Sequence, residues 1–158
     1  MKRQLDDYYD RFYNKLRERS QQLQANGYQL AKEIALWKEA VAERWDAVNV
    51  VSIKKNDDAI NGNIEAGTKY DIEVVVDEAG LDDAIGVEAV TLYTDKDGED
   101  HVYQVAPFEL KGRDGNRFTF VLSHSIDNAG SFKLCYRLFP KNDKLPHRQD
   151  FCYVKWFA

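Results

Sequence analysis

The sequence has little cysteine, proline or glycine, and it has no long apolar run. Two cysteines, three prolines and nine glycines occur in 158 residues, which excludes a disulfide-rich scaffold and a collagen-like repeat. No apolar run approaches the roughly 20 residues that a membrane-spanning helix needs. The N-terminus, MKRQLDDYYD, carries charges where a signal peptide has its apolar region, so we expect a cytoplasmic protein without a membrane partner. In that compartment Cys135 and Cys152 are expected to be reduced, half-buried thiols, although pairing across two strands is left open.

An excess of positive charge is also missing. The net charge is −5, from 22 Lys and Arg against 27 Asp and Glu. Binding to a phosphate backbone needs a basic surface, so nucleic acid is excluded as an expected partner. The sequence also lacks G-x-G-x-x-G, G-x-x-x-x-G-K-[ST], H-E-x-x-H and paired C-x-x-C motifs. It therefore predicts no catalytic, cofactor-binding or metal-binding residue in this chain, which we expect not to be an enzyme.

Two local patterns resemble sites but have simpler explanations. Ser123, His124 and Asp127 contain the residue types of a hydrolytic triad. Neighbours on one strand point to opposite faces, however, so the first two cannot relay a proton. The stretch Asp95–Asp100 resembles a calcium loop but lacks the glutamate at loop position 12. We predict that it forms a hairpin turn.

The first 46 residues have the periodicity of amphipathic helices. Between Leu5 and Trp45 there is no proline and one glycine, and apolar residues recur at helical spacing. A glycine that can adopt the left-handed conformation breaks this pattern at Asn26-Gly27, so residues 1–46 are predicted to form an antiparallel αα-hairpin. A hairpin cannot enclose its own apolar stripe, which must pack on the rest of the chain, on a second copy or on a missing domain. The candidate helix interface consists of Tyr9, Phe12, Trp37 and Trp45.

After Ala47 the hydrophobic period changes to two, which indicates β-strands. Asn-Gly and Asp-Gly pairs supply turns between several of the strand-like segments. The pattern predicts a mainly β fold, with a seven-stranded immunoglobulin-like β-sandwich over residues 47–158. The seven segments are VNVVSIKK, KYDIEVVVD, GVEAVTLYTD, HVYQVAPFEL, NRFTFVLSHS, SFKLCYRLF and DFCYVKWF.

Alternation within three of these strands predicts which side chains point inward. The three inward faces are Tyr70, Ile72, Val74 and Val76; Phe118, Phe120 and Leu122; and Cys152, Val154 and Trp156. Other strand aromatics are candidates for a surface that stacks on sugar rings or docks on a protein, although core packing and contact with the helices are the simpler explanation. These candidates are Tyr153, Phe157, Tyr103 and Tyr93.

The C-terminal hairpin resembles a known family. Gly130–Pro140, then Leu145-Pro146-His147, then Val154-Lys155-Trp156-Phe157-Ala158 are similar to the last residues of bacterial α-glucan phosphorylases of the shorter, non-muscle type. Those proteins end in Val-x-Trp-Ala, whereas this chain has Phe157 before its last alanine. The resemblance extends upstream to Gly67–Val76 and Gly80–Glu88.

The resemblance implies a role within a larger enzyme. The family carries out reversible phosphorolysis of α-1,4-glucans, and pyridoxal phosphate acts as acid/base partner in the catalytic lobes. None of the motifs that hold cofactor or substrate occurs here. The resemblance thus implies a non-catalytic C-terminal accessory sandwich of a glycosyltransferase, for docking or assembly. It also implies that residues 1–46 are the tail of a missing catalytic domain, that the catalytic lobes are the partner, and that this chain holds no cofactor.

Two other functions remain open. One is a carbohydrate-binding module whose exposed aromatics hold glycogen or maltodextrin. The other is a protein-interaction domain in which the helices form a homodimer. The residues leave undecided whether the chain is a fragment, which glucan it prefers, its oligomeric state and which aromatics are exposed.

Overall fold

A computed structural model describes residues 8–55, 67, 69–125, 127 and 132–157. The chain forms two compact units, Met1–Ala40 and Val41–Ala158. Within the described residues, no helix combines the length and hydropathy needed to cross a membrane.

The N-terminal region is helical with an internal break. A π-helical turn, Tyr9–Tyr13, leads into helix α1, Asn14–Arg44. Within α1 the residues Ala25–Tyr28 leave helical geometry, and Asn26, Gly27 and Tyr28 have φ values of 52°, 67° and 64°. Left-handed residues end a helical path, so the break lies at the Asn26-Gly27 pair that the sequence indicates. The antiparallel arrangement of the two helical segments stays a prediction.

The second unit is built from two four-stranded antiparallel sheets. The first sheet has the order β1-β2-β6-β5 and the second has the order β4-β3-β7-β8. A mainly β fold with two sheets is therefore confirmed. The strands are β1 Asn49–Lys55, β2 Lys69–Asp77, β3 Ile85–Thr94, β4 Asp100–Pro107, β5 Glu109–Asp114, β6 Arg117–Ser125, β7 Phe132–Pro140 and β8 Lys155–Phe157. Among the residues that the structure describes, 3₁₀ turns lie before or between the strands at Trp45–Ala47, Asp82–Ala84 and Arg148–Asp150.

The fourth predicted strand is two strands in two different sheets. β4 ends at Pro107 and pairs with β3, whereas β5 begins at Glu109 and pairs with β6. Between them Phe108 is buried, and its backbone N–H donates to Val87 O at 2.9 Å. Proline cannot donate to a sheet ladder, so the first pairing ends there. The hydrophobic pattern of the sequence continues through Phe108, where the chain passes from one sheet to the other. The sequence therefore predicts one strand where the structure has two.

Two of the three predicted inward faces are correct and the third is wrong. Tyr70, Ile72, Val74, Val76, Phe118 and Phe120 are buried, and Leu122 is half-buried. Cys152, Val154 and Trp156 are exposed instead. Strand β8 begins only at Lys155, and its register pairs Phe157 with the buried Tyr136. Phe157 thus faces the core and Trp156 faces outward, the reverse of the predicted phase.

Candidate functional site

The outer face of the second sheet carries a cluster of charged and aromatic residues. Its central strand β3 is buried on both sides, because the seven residues Ile85–Thr91 are all inaccessible. Side chains in register with Tyr136 point toward the first sheet, and the alternate ones point outward. The outward side is covered by the segment after β7, whose Lys141 N–H donates to Ala84 O at 2.7 Å.

A buried carboxylate holds this face together. Glu88 is 2% exposed and accepts hydrogen bonds at Oε1 from Arg137 Nε and from Arg148 Nη1, the latter at 2.7 Å. Arg137 lies directly opposite Glu88 in the pairing of β3 with β7. Burying a carboxylate is costly unless cations and hydrogen bonds compensate. Glu88 therefore joins β3, β7 and the 3₁₀ turn Arg148–Asp150. Sequence reasoning missed this cluster, although a glutamate within the apolar stretch GVEAVTL was a signal for it.

Each of the two arginines also lies over an aromatic ring. The guanidinium carbon of Arg137 is 5.1 Å from the centroid of the Trp156 ring, and that of Arg148 is 4.7 Å from the Phe139 ring. The Phe139 ring in turn lies on Gly86, where an added Cβ would come within 2.5 Å of its Cζ. On this outer face the Phe139 ring therefore lies between Gly86 on one side and the Arg148 guanidinium on the other.

The two arginines line a small cleft between β7 and the segment that leads to β8. Its volume is about 230 Å³. No Asp or Glu is among the described residues that line it. We call it the arginine cleft, and the residues that define it are Arg137, Phe139, His147, Arg148, Phe151 and Tyr153. The backbone N–H of Gln149 donates to His147 Nδ1 at 3.1 Å.

The four candidate surface aromatics do not form one surface. Tyr93 and Tyr103 are 40% and 39% exposed and lie on β3 and β4, at one side of the second sheet. Tyr153 is 37% exposed and precedes β8, at the opposite edge. Phe157 is half-buried and stacks on Tyr136 at 5.7 Å between ring centroids. A single sugar chain therefore cannot stack on all four of these rings.

The four candidate helix-interface residues also differ in burial. Tyr9 and Phe12 are 59% and 55% exposed, and each ring lies close to an aromatic ring four positions away in the sequence. Trp37 is half-buried. Trp45 is 4% exposed and lies within the second unit, where its ring centroid is 5.6 Å from that of Tyr153.

Lys155 joins the last strand to the start of the second unit. Its Nζ donates to three backbone carbonyls, those of Trp45 at 2.6 Å, Asp46 at 3.1 Å and Val48 at 2.8 Å. These carbonyls belong to the 3₁₀ turn and to Val48, the residue that follows it, and the Trp45 carbonyl also accepts the Val48 N–H at 3.2 Å. A cation is favourable beside carbonyls at the C-terminal end of a helical turn. Lys155, which lies between Val154 and Trp156, therefore has a structural role.

The resemblance to a calcium loop is explained by a hairpin turn, as predicted. Asp95 Oδ1 accepts the backbone N–H groups of Asp97 and Glu99, both at 2.9 Å, and Oδ2 lies 2.7 Å from His101 Nε2. The hydrogen bond from the Glu99 backbone is the largest of several contacts that lower the pKa of Asp95. Asp95, Glu99 and His101 are close enough to share an ion, but both oxygens of the aspartate already serve the turn.

Of the triad-like residues, Ser123 and His124 lie next to each other on β6, and Asp127 lies after the end of that strand. Ser123 donates to Asp71 on the outer side of the first sheet, whereas His124 lies opposite the buried Tyr70. Burial lowers the pKa of His124, and Asp127 offsets this in part.

The two cysteines do not pair. Cys135 is half-buried, as predicted, but Cys152 is exposed, and its thiol donates to Gln149 O at 2.7 Å.

A second buried carboxylate lies at the end of β2. Glu78 has no exposed surface, and neither of its side-chain oxygens has a hydrogen-bond partner among the described residues. Burial is the main reason that its pKa is raised to about 8. The nearby Asp83 and Asp82 raise this pKa further, and Arg113 lowers it.

Comparison with known proteins identifies relatives of this chain. A sequence model of the glycogen phosphorylase C-terminal domain matches residues 45–158. Maltodextrin phosphorylase of Thermococcus litoralis is 28% identical over 163 aligned positions. That alignment covers 98% of this chain and 18% of the relative, so the chain spans less than a fifth of the curated protein it matches. The domain match begins at Trp45, the first residue after α1.

Proposed function

Because this chain belongs to the glycogen phosphorylase C-terminal domain family, we propose that it is a non-catalytic accessory module of an α-glucan phosphorylase, which serves domain docking or assembly. The parent enzyme would be a pyridoxal-phosphate-dependent glycosyltransferase of the cytoplasm that carries out reversible phosphorolysis of α-1,4-glucans. The observation that carries the proposal is the extent of the matches. The family match spans nearly all of the second unit, while the chain covers only 18% of the maltodextrin phosphorylase.

We propose that the sandwich is immunoglobulin-like. The strands of the immunoglobulin fold are lettered along the chain, so that β1, β2 and β3 correspond to A, B and C, and β5 to β8 correspond to D to G. The sheet β1-β2-β6-β5 then has the spatial order A-B-E-D of that fold, and β3-β7-β8 has its order C-F-G. The strand β4 then corresponds to the additional strand beside C that some members of the fold carry. This topology supports a scaffold whose loops and outer faces, rather than an internal cavity, make contacts.

The docking element of the proposal is the aromatic stripe of the helical unit. Five large apolar side chains near its start are each more than half exposed, namely Tyr8, Tyr9, Phe12, Tyr13 and Leu16. Large exposed apolar patches mark interaction surfaces. The helical unit precedes the match to the C-terminal domain and lies within the match to the relative. Its stripe would therefore pack on the catalytic lobes that come before it in the parent enzyme.

A trans-complementation experiment tests this function. The 158-residue chain is mixed with the remainder of the parent enzyme, and association is measured by analytical ultracentrifugation together with phosphorolysis of maltodextrin. We expect no phosphorolysis and no pyridoxal phosphate absorbance from the chain alone, and a stable complex with the remainder. Phe12→Asp should weaken the complex, whereas Leu36→Asp, a matched change at a position that is 66% exposed on α1, should not. Glucose 1-phosphate release by the isolated chain would contradict the proposal.

Carbohydrate binding is the second candidate, and one observation favours it. Tyr153 and Trp156 are 37% and 55% exposed within one short segment, and exposed aromatic rings are suited to stacking on sugars. Affinity electrophoresis in gels that contain glycogen would show retardation that Tyr153→Ala or Trp156→Ala reduces. If the chain instead forms a homodimer that Phe12→Asp dissociates, the helices form the interface between two copies.

A further inference from the structure

We propose that the arginine cleft binds the phosphate group of a small phosphomonoester. The arginine cleft consists of residues of the second unit alone, and phosphate binding there does not depend on the proposed docking role. The Glu88 carboxylate contacts two guanidinium groups, so the trio has a net charge of +1. A single arginine would compensate the buried charge, which leaves the second cation without a carboxylate of its own in the described part of the chain.

The hydrogen-bonding groups of the trio point to the same conclusion. Arg137 uses Nε toward Glu88 and Arg148 uses Nη1. An arginine has five N–H donors, and the others of these two side chains have no acceptor in the described residues. Glu88 is a positioning residue in this arrangement, since it fixes both guanidinium groups at the rim of the cleft. Paired guanidinium groups with unused N–H donors are the groups that best match phosphate oxygens.

A third donor comes from the segment after β7. His147 Nδ1 accepts the N–H of Gln149, so the neutral ring carries its proton on Nε2 and can donate there. His147 lines the cleft together with both arginines, and no Asp or Glu lines it within the described residues. The result is a local concentration of donors in a chain whose net charge is −5.

The remaining walls define what the phosphate should carry. Phe139, Phe151, Tyr153 and Val154 supply ring and aliphatic surface next to the arginines. Apolar walls strengthen charge-assisted hydrogen bonds by excluding water, and they favour a ligand with a compact ring. The volume of about 230 Å³ suits a small molecule rather than a polymer chain. We therefore assign the cleft to a phosphomonoester of a single ring.

The test uses phenyl phosphate and inorganic phosphate as probes on the 158-residue chain. Binding is followed by NMR through the Nε–Hε resonances of the arginines, with sodium chloride at matched ionic strength as the reference. We expect saturable shifts at Arg137 and Arg148, with phenyl phosphate binding more tightly than inorganic phosphate. Arg148→Gln should weaken binding by roughly tenfold, the value of one charge-assisted hydrogen bond. Lys111→Gln removes the same charge from β5 in the other sheet and should leave binding unchanged.

Three results would overturn the assignment. The first is the absence of saturable shifts in the wild-type chain, a readout that does not depend on any variant folding. The second is equal weakening by Arg148→Gln and Lys111→Gln, which would mean general charge attraction. The third is tighter binding of benzoate than of phenyl phosphate, which would make the cleft a carboxylate site.

Discussion

Replacement of Glu78 by glutamine should remove a pH-dependent instability of the second unit. Glu78 is fully buried without a hydrogen-bond partner among the described residues, and its pKa is raised to about 8. A carboxyl with a raised folded pKa stays protonated in the folded state while the unfolded chain releases its proton. The wild-type chain should therefore lose stability as the pH rises from the unfolded pKa of 4.5 toward 8.

The magnitude follows from the two pKa values. Between them the folded state holds one more proton than the unfolded state, so the free energy of unfolding should fall by about 1.4 kcal/mol per pH unit. From pH 5 to pH 8 the loss amounts to about 3 to 4 kcal/mol, and most of it should be absent in Glu78→Gln. Such a change is a large part of the roughly 5 to 15 kcal/mol that stabilises an ordinary domain.

Urea denaturation at several pH values measures this difference. The free energy of unfolding of the wild-type chain and of Glu78→Gln is determined from pH 5 to pH 8, with tryptophan fluorescence as the probe. The gap between the two should widen steadily with pH. Glu109→Gln, which removes a carboxylate from the exposed side of β5, controls for net charge. Parallel profiles for the wild-type chain and Glu78→Gln would refute the reasoning, because they would mean that the carboxyl is solvated or partnered in the folded protein.

Two further substitutions test the packing of the second unit. Gly86→Ala places a Cβ within 2.5 Å of Phe139 Cζ and should lower the free energy of unfolding by about 1–3 kcal/mol; thermal denaturation measures it. Gly112→Ala, with no atom within 4 Å of the added Cβ, is the control, and equal losses would argue against the close contact. Lys155→Met removes a donor to three carbonyls and should cost about 2–3 kcal/mol in urea denaturation. Lys54→Met, at a side chain that is 75% exposed, should cost less than about 1 kcal/mol.

The alternating strands were predictable because one face of each is buried and the other is not. In β2 the residues from Tyr70 to Val76 alternate between buried and partly exposed positions, and hydrophobic periodicity records that alternation directly. The hydrophobic period of the sequence does not change at Phe108, so the passage of the chain from one sheet to the other there could not be predicted. In β3 both faces are buried, so the segment Ile85–Val90 has no polar side chain other than Glu88 and shows no alternation.

The candidate site was not predictable from local patterns. Glu88 meets Arg137 and Arg148 across 49 and 60 residues of sequence, and the pairing depends on strand register and on the path of a loop. Neither is encoded in a short window. The prediction of which β8 side chains point inward was wrong for a related reason. The strand begins only at Lys155, and the direction of the Lys155 side chain is set by hydrogen bonds to carbonyls near Trp45, which a pattern of alternating residues does not reveal. The family resemblance was readable because it rests on local strings, and the match to residues 45–158 confirms it.

The contact of Lys155 with the 3₁₀ turn brings the two ends of the sandwich within one side chain of each other. Circular permutation and domain insertion are tolerated where the ends of a unit are close together at the surface. The sandwich could therefore be reopened at the exposed Asp97-Gly98 turn, with a short linker from residue 157 to residue 45. Because its first turn and its last strand are in contact, the sandwich is suited to insertion into a loop of another protein, where both of its ends would have to lie close together.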